Sequence, residues 1–161
     1  MSTFTRTLGA VGVIGSFAFT VALVGAPASA APAETIPVGT TVDDSFDPAA
    51  PTVVIGANGA SRGSFCPDKA FTAVATMLNS GPGCNVIGTS NSTKVPYGWY
   101  KHRGNGSPCI WGKGFNSKRQ PVWPALGCGA GRTTTVSWGN VAASKQIRGL
   151  AAVGWAGVQW N

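Results

Sequence analysis

Residues 97–115 read YGWYKHRGNGSPCIWGKGF, two aromatic runs on either side of Asn105-Gly106. Asn-Gly readily takes the positive backbone angles of a type I′ turn, so the stretch predicts a β-hairpin. That turn sets a register in which Gly104 faces Ser107, His102 faces Cys109, Tyr100 faces Trp111 and Gly98 faces Lys113. The opposite face pairs Arg103 with Pro108, Lys101 with Ile110, Trp99 with Gly112 and Tyr97 with Gly114. The face holding Cys109 and the Tyr100/Trp111 pair is expected to meet the core. The other carries Tyr97, Trp99, Lys101 and Arg103, a row at once aromatic and cationic. Pro108 lacks a ladder donor and marks an edge or ribbon end.

Upstream, residues 1–30 have the form of a secretory signal. Arg6 supplies the positive start, residues 8–24 an apolar run, and Ala28-Ser29-Ala30 a small-residue cleavage motif. An uncleaved membrane anchor is the alternative, but the run is short for a span and rich in small residues. The expected mature protein is exported and extracellular.

Residues 31–51, APAETIPVGTTVDDSFDPAAP, hold four of the five acidic residues of the chain: Glu34, Asp43, Asp44 and Asp47. Their composition predicts a solvated tail or linker, or else a pro-segment whose charge lies on the basic body. Residues 52–161 are then one small domain. Eleven of the twelve Lys and Arg lie in it and Asp68 is its only acid, a net charge of +10. So large an imbalance implies an anionic partner, or a self-repulsion that cross-links must oppose.

All four cysteines, Cys66, Cys84, Cys109 and Cys128, fall in this domain. An even count in an exported chain implies two disulfides. Successive spacings of 18, 25 and 19 residues lack the close pairs of a structural zinc site, so no metal is expected. Of the three possible pairings, Cys66 with Cys84 and Cys109 with Cys128 closes the shortest loops.

Pro67, Asp68 and the series Phe71, Val74, Ala75 and Leu78 match a helix start and one helical face, and Ser80-Gly81-Pro82-Gly83 would end it. Elsewhere the signals are for strands, at residues 52–55, 85–88, 133–138 and 150–160. The fold class expected is mainly β: a small antiparallel sheet or sandwich with one short helix, stapled by two disulfides. Trp111-Gly112 with Ser117-Lys118 recurs 27 positions later as Trp138-Gly139 with Ser144-Lys145, which would be a chance match or the trace of two equivalent hairpins.

The residues that are missing limit the chemistry. Glycoside hydrolysis ordinarily needs two carboxylates, and the domain has one. A Ser-His-Asp triad would have to recruit His102, the only histidine, with Asp68, and no G-x-S-x-G elbow is present. Neither a dinucleotide fingerprint nor a phosphate loop occurs, and no cofactor is expected. His102 is read as structural; a hydrolase or nuclease built on it would lack a second acid or base.

A non-enzymatic role is therefore expected: a secreted cationic binding or toxin-like protein acting on anionic cell-envelope polymer, glycan or membrane surface. Tyr97, Trp99, Lys101 and Arg103 are its candidate contact residues, since flat rings beside cations suit sugars, bases and anionic interfaces. Secretion lowers nucleic acid as a native target. The alternatives are a protease inhibitor presenting Lys118 and Arg119 from the loop between Cys109 and Cys128, and then a secreted hydrolase or nuclease using His102.

Overall fold

The computed structural model describes residues 34–63 and 66–161, and every regular element among them is a strand. In chain order these are β1 (Thr41–Val42), β2 (Thr52–Ile55), β3 (Ser61–Gly63), β4 (Lys69–Ala73), β5 (Leu78–Asn79) and β6 (Asn85–Gly88). There follow β7 (Lys94–Arg103), β8 (Pro108–Gly112), β9 (Gly114–Phe115), β10 (Pro121–Val122) and β11 (Ala125–Cys128). The last four are β12 (Gly131–Ser137), β13 (Val141–Ser144), β14 (Ile147–Ala151) and β15 (Ala156–Trp160).

They form a five-stranded sheet in the order β1-β13-β6-β2-β3, two four-stranded sheets, β12-β7-β15-β4 and β11-β8-β14-β5, and the short pair β10-β9. Only β1 with β13 and β2 with β6 run parallel. One continuous core is built from the inward residues of the larger sheets, among them Val86, Tyr97, Trp99, Ile110 and Val158, together with Trp138 just beyond β12. Trp138 is fully buried, meets Phe115 edge-on at 5.0 Å and donates from its indole N–H to Val141 O at 2.9 Å. An aromatic side chain so enclosed stabilises a domain by about 3–5 kcal/mol relative to alanine.

The Asn105-Gly106 segment does not close a hairpin. Strand β7 pairs with β12 and β15, whereas β8 pairs with β11 and β14, so the two runs lie in different sheets. The loop between them is held by distant chain: Gly106 N donates to Trp155 O, and Lys101 Nζ donates to Gly106 O at 3.0 Å. With the expected pairing gone, the faces invert. Val95, Tyr97 and Trp99 point into the core; Tyr100 and His102 point to solvent. Trp111 is half-buried on the outer side of its own sheet.

The expected helix is also replaced. Residues 69–73 form β4, with Phe71 and Ala73 inward and Ala70 and Thr72 outward, paired over five positions with β15. Leu78, which the helical face required to be buried, is exposed. Period two and period 3.6 both fit this short run, and the open edge of β15 supplies a ladder that only a strand can satisfy.

Both disulfides follow the sequential pairing, Cys66–Cys84 and Cys109–Cys128. The second joins directly opposed residues of β8 and β11. The recurring Trp-Gly and Ser-Lys pairs are not equivalent in space: Trp138, Ser144 and Lys145 are buried, while Trp111 is half-buried and Ser117 and Lys118 are exposed.

The acidic segment is no tail. Strand β1 extends the five-stranded sheet, and Ile36 and Phe46 cover Val54, Ile87 and Ala142 on its outer face. Buried Asn85 exchanges hydrogen bonds with the backbone of Asp47, and Ser144 bonds Ser45 through both its backbone N–H and its hydroxyl. The described residues are thus one compact unit. The leader expected over residues 1–30 lies outside the described residues. No helix among the described residues is long and apolar enough to cross a membrane.

Candidate functional site

Burial separates the residues expected to form one aromatic-cationic row. Tyr97 and Trp99 are 0% and 3% exposed and cannot meet a ligand at the surface. The Tyr97 hydroxyl donates to Lys113 O at 2.9 Å, and burial pushes its phenol well above the ordinary range. Lys101 is half-buried and ties down the loop at Gly106. Of the row only Arg103 is exposed. The alternation of β7 was legible further upstream, where Lys94, Pro96 and Gly98 are the polar and small residues and Val95 continues the apolar side.

Arg103 nonetheless belongs to a surface cluster of different membership. The ladder between β7 and β15 slips by one residue, with Gly157 opposite Arg103 and Val158 opposite Lys101, leaving His102 as the extra residue of a bulge. Such a bulge turns two successive side chains to one side. A Cβ on Gly157 would lie 2.6 Å from Arg103 Cγ and 2.9 Å from His102 Nε2, so glycine is what lets both lie across β15. The Arg103 guanidinium stands 5.8 Å from the ring centre of exposed Trp155, and Tyr100 donates to Gln159 Oε1 at 2.7 Å nearby on the same face. His102 is exposed there, not buried beside Cys109 as expected, and its side chain has no hydrogen-bond partner among the described residues.

A second cluster lies on the outer face of the β11-β8-β14-β5 sheet. Arg148 on β14 is directly opposite Trp111 on β8, and its guanidinium lies 4.9 Å from the ring centre of Trp123. All three are half-buried. Arg148 Nε is enclosed and has no hydrogen-bond partner among the described residues, which leaves a planar donor group held beside two indoles. Trp-rich composition predicted such rings, but which of the six tryptophans would stand beside an arginine depended on the pairing of β8 with β14.

Lys118 and Arg119 sit in a closed turn. Asn116 Oδ1 accepts from Lys118 N and Gln120 N, Arg119 has φ of 61°, and its guanidinium donates to Thr41 Oγ1 at 2.8 Å and to Gly39 O. Tight-binding inhibitor loops offer an extended backbone to the protease cleft; this turn offers a folded one, with Arg119 tethered to the acidic segment.

Of the eleven cations in residues 52–161, Lys113 and Lys145 are buried, Lys101 and Arg148 half-buried and seven exposed. The one ion pair among the described residues is internal, between Lys113 Nζ and Asp43 Oδ1 at 2.6 Å. Burial pushes the Asp43 carboxyl up, but Lys113 together with the hydroxyl and amide of Ser45 holds it below the ordinary carboxylate value. No group of three or more His, Cys, Asp or Glu among the described residues is arranged to hold a metal ion. No family model matches the chain, and neither a curated protein nor a solved structure matches it.

Proposed function

We propose that the protein is a secreted, non-enzymatic binder of anionic cell-envelope polymer or glycan, and that Trp111, Trp123 and Arg148 form its contact surface. The observation that carries this reading is Arg148, a half-buried guanidinium held 4.9 Å from the ring centre of Trp123 and directly opposite Trp111. A sugar ring can stack on the half-exposed indoles while a sulfate, phosphate or carboxylate group accepts from the guanidinium. The exposed cations, none of them in an ion pair among the described residues, add the long-range attraction a polyanion requires. Two disulfides suit an oxidising compartment outside the cell. The folded turn at Lys118 and Arg119 gives the inhibitor reading no comparable support.

The test is binding to heparin and to a poly(glycerol phosphate) over a range of salt concentrations. Arg148→Gln should lower the slope of log affinity against log salt by about one, since one counterion-displacing contact is lost. Trp123→Ala should weaken binding by about 1–3 kcal/mol and leave the slope unchanged. Affinities and slopes matching the parent protein in both variants would remove this surface from consideration.

A further inference from the structure

Lys145 lies between β13 and β14 with its side chain buried beneath β7, and among the described residues no carboxylate pairs with it. Its ammonium donates to Pro96 O at 2.7 Å and stands 4.4 Å from the ring centre of Tyr97. The reason Pro96 O is free lies in the ladder. Gly98 exchanges both backbone hydrogen bonds with Asn161. Pro96 is paired with Thr135 of β12 and with no residue of β15, and a proline has no N–H of its own to leave unpaired. One ammonium donor is therefore used; the other two have no acceptor among the described residues.

This side chain lines a cavity of about 600 Å³ between the β2–β6 side of the five-stranded sheet and β7. Small-molecule sites span roughly 300–1,000 Å³ and combine apolar walls with a few convergent polar groups. The walls here are Val53, Ile55, Val86 and Val95, and exposed Arg62 of β3 stands at the rim. Among the described residues, two cationic side chains and no Asp or Glu side chain line the space.

We propose that this cavity binds a small amphipathic carboxylate, its alkyl chain against the valines and Ile55 and its head group between Lys145 and Arg62. An unpaired buried cation is costly, and a carboxylate brought in by a ligand offsets that cost while its chain fills the apolar space. A neutral alkyl ligand meets the same walls but leaves Lys145 as it is; a cationic one is repelled. The desolvation that holds the Lys145 amine down at about 8 would be countered by the ligand charge, so binding should take up a proton above that pH.

Decanoate, decanol and decyltrimethylammonium, titrated calorimetrically into the oxidised full chain, test the idea. Decanoate should bind once per chain and at least tenfold more tightly than either analogue, with proton uptake at pH 8.5 measured from buffers of different ionisation enthalpy. Lys145→Met should reduce decanoate affinity at least tenfold. Arg62→Gln, an exposed change outside the core, should reduce it severalfold without shifting the melting temperature, and serves if Lys145→Met does not fold. Equal affinity for decanoate and decanol, no saturable binding, or unchanged binding in either folded variant would overturn the proposal. So would displacement of decanoate by heparin, because the cavity would then be part of the outer polyanion surface.

Discussion

Lys113 and Lys145 are each 5% exposed, and each touches Tyr97, yet they are held in opposite ways. Lys113 has a carboxylate and a hydroxyl from the acidic segment, Asp43 at 2.6 Å and Ser45 at 2.8 Å. Lys145 has a carbonyl and the face of a ring. One cation is a structural rivet, stable because residues 34–51 fold against the domain. The other is a charge set beside an open cavity without a counter-charge. Equal burial thus says little about what a buried lysine does; the partner decides it.

The most severe way to break the comparison is to remove the partner segment. A chain beginning at Thr52 would strand Lys113 and bare Val54, Ile87 and Ala142, and its stability should fall by more than about 5 kcal/mol, close to the whole stability of a small domain. Urea unfolding of the two forms decides this. If the shortened chain unfolds at the same urea concentration as the parent, the segment is a removable tail after all.

Asp43→Asn isolates the pair and should cost about 3 kcal/mol at pH 7, because it leaves an enclosed ammonium facing a neutral amide. The Asp43 carboxyl is held below its ordinary value of 3.8, so its contribution is complete above that pH and disappears as pH falls through the lower folded value. Acid unfolding profiles of parent and variant should therefore converge at the acid end. Profiles that stay parallel down to the lowest pH would mean the carboxylate is not the source of the difference.

The smallest effect should have the opposite sign. Lys145→Met removes a desolvated charge and should raise stability by about 2 kcal/mol at pH 7. In the parent, the amine titrates at about 8 when folded and at the ordinary 10.5 when unfolded. Between those values the unfolded chain holds more protons, so parental stability should climb with pH by roughly 3 kcal/mol relative to the variant. Denaturation at pH 7, 9 and 10.5 measures the climb; a flat difference across that window would mean Lys145 is not desolvated.

The two disulfides were readable because cysteine pairing is limited to three choices and short loops are favoured. The strand character of residues 85–88 and 133–137 was readable from β-branched residues and turn punctuation. The candidate surfaces were not. Asn105-Gly106 implies a local hairpin that would turn Trp99 outward, while the real partners of β7 begin at Gly131 and Ala156. Nothing local to Ile147–Ala151 marks Arg148; its significance comes from Trp111 and Trp123 more than twenty positions away.

By itself the sequence determined the composition of the protein's chemistry: four cysteines and no close metal spacing, eleven cations against one acid in residues 52–161, one histidine, and side chains that alternate along strands. Those properties belong to single residues or near neighbours and need no partner to be stated. The tertiary structure decided which strand edges met, which face of β7 was covered, that residues 69–73 extended instead of coiling, and that Asp43 reached Lys113 but no acid reached Lys145. A backbone ladder offers the same donors and acceptors at every position, so it carries no address of its own. The address is set when distant apolar faces and charges settle into one core.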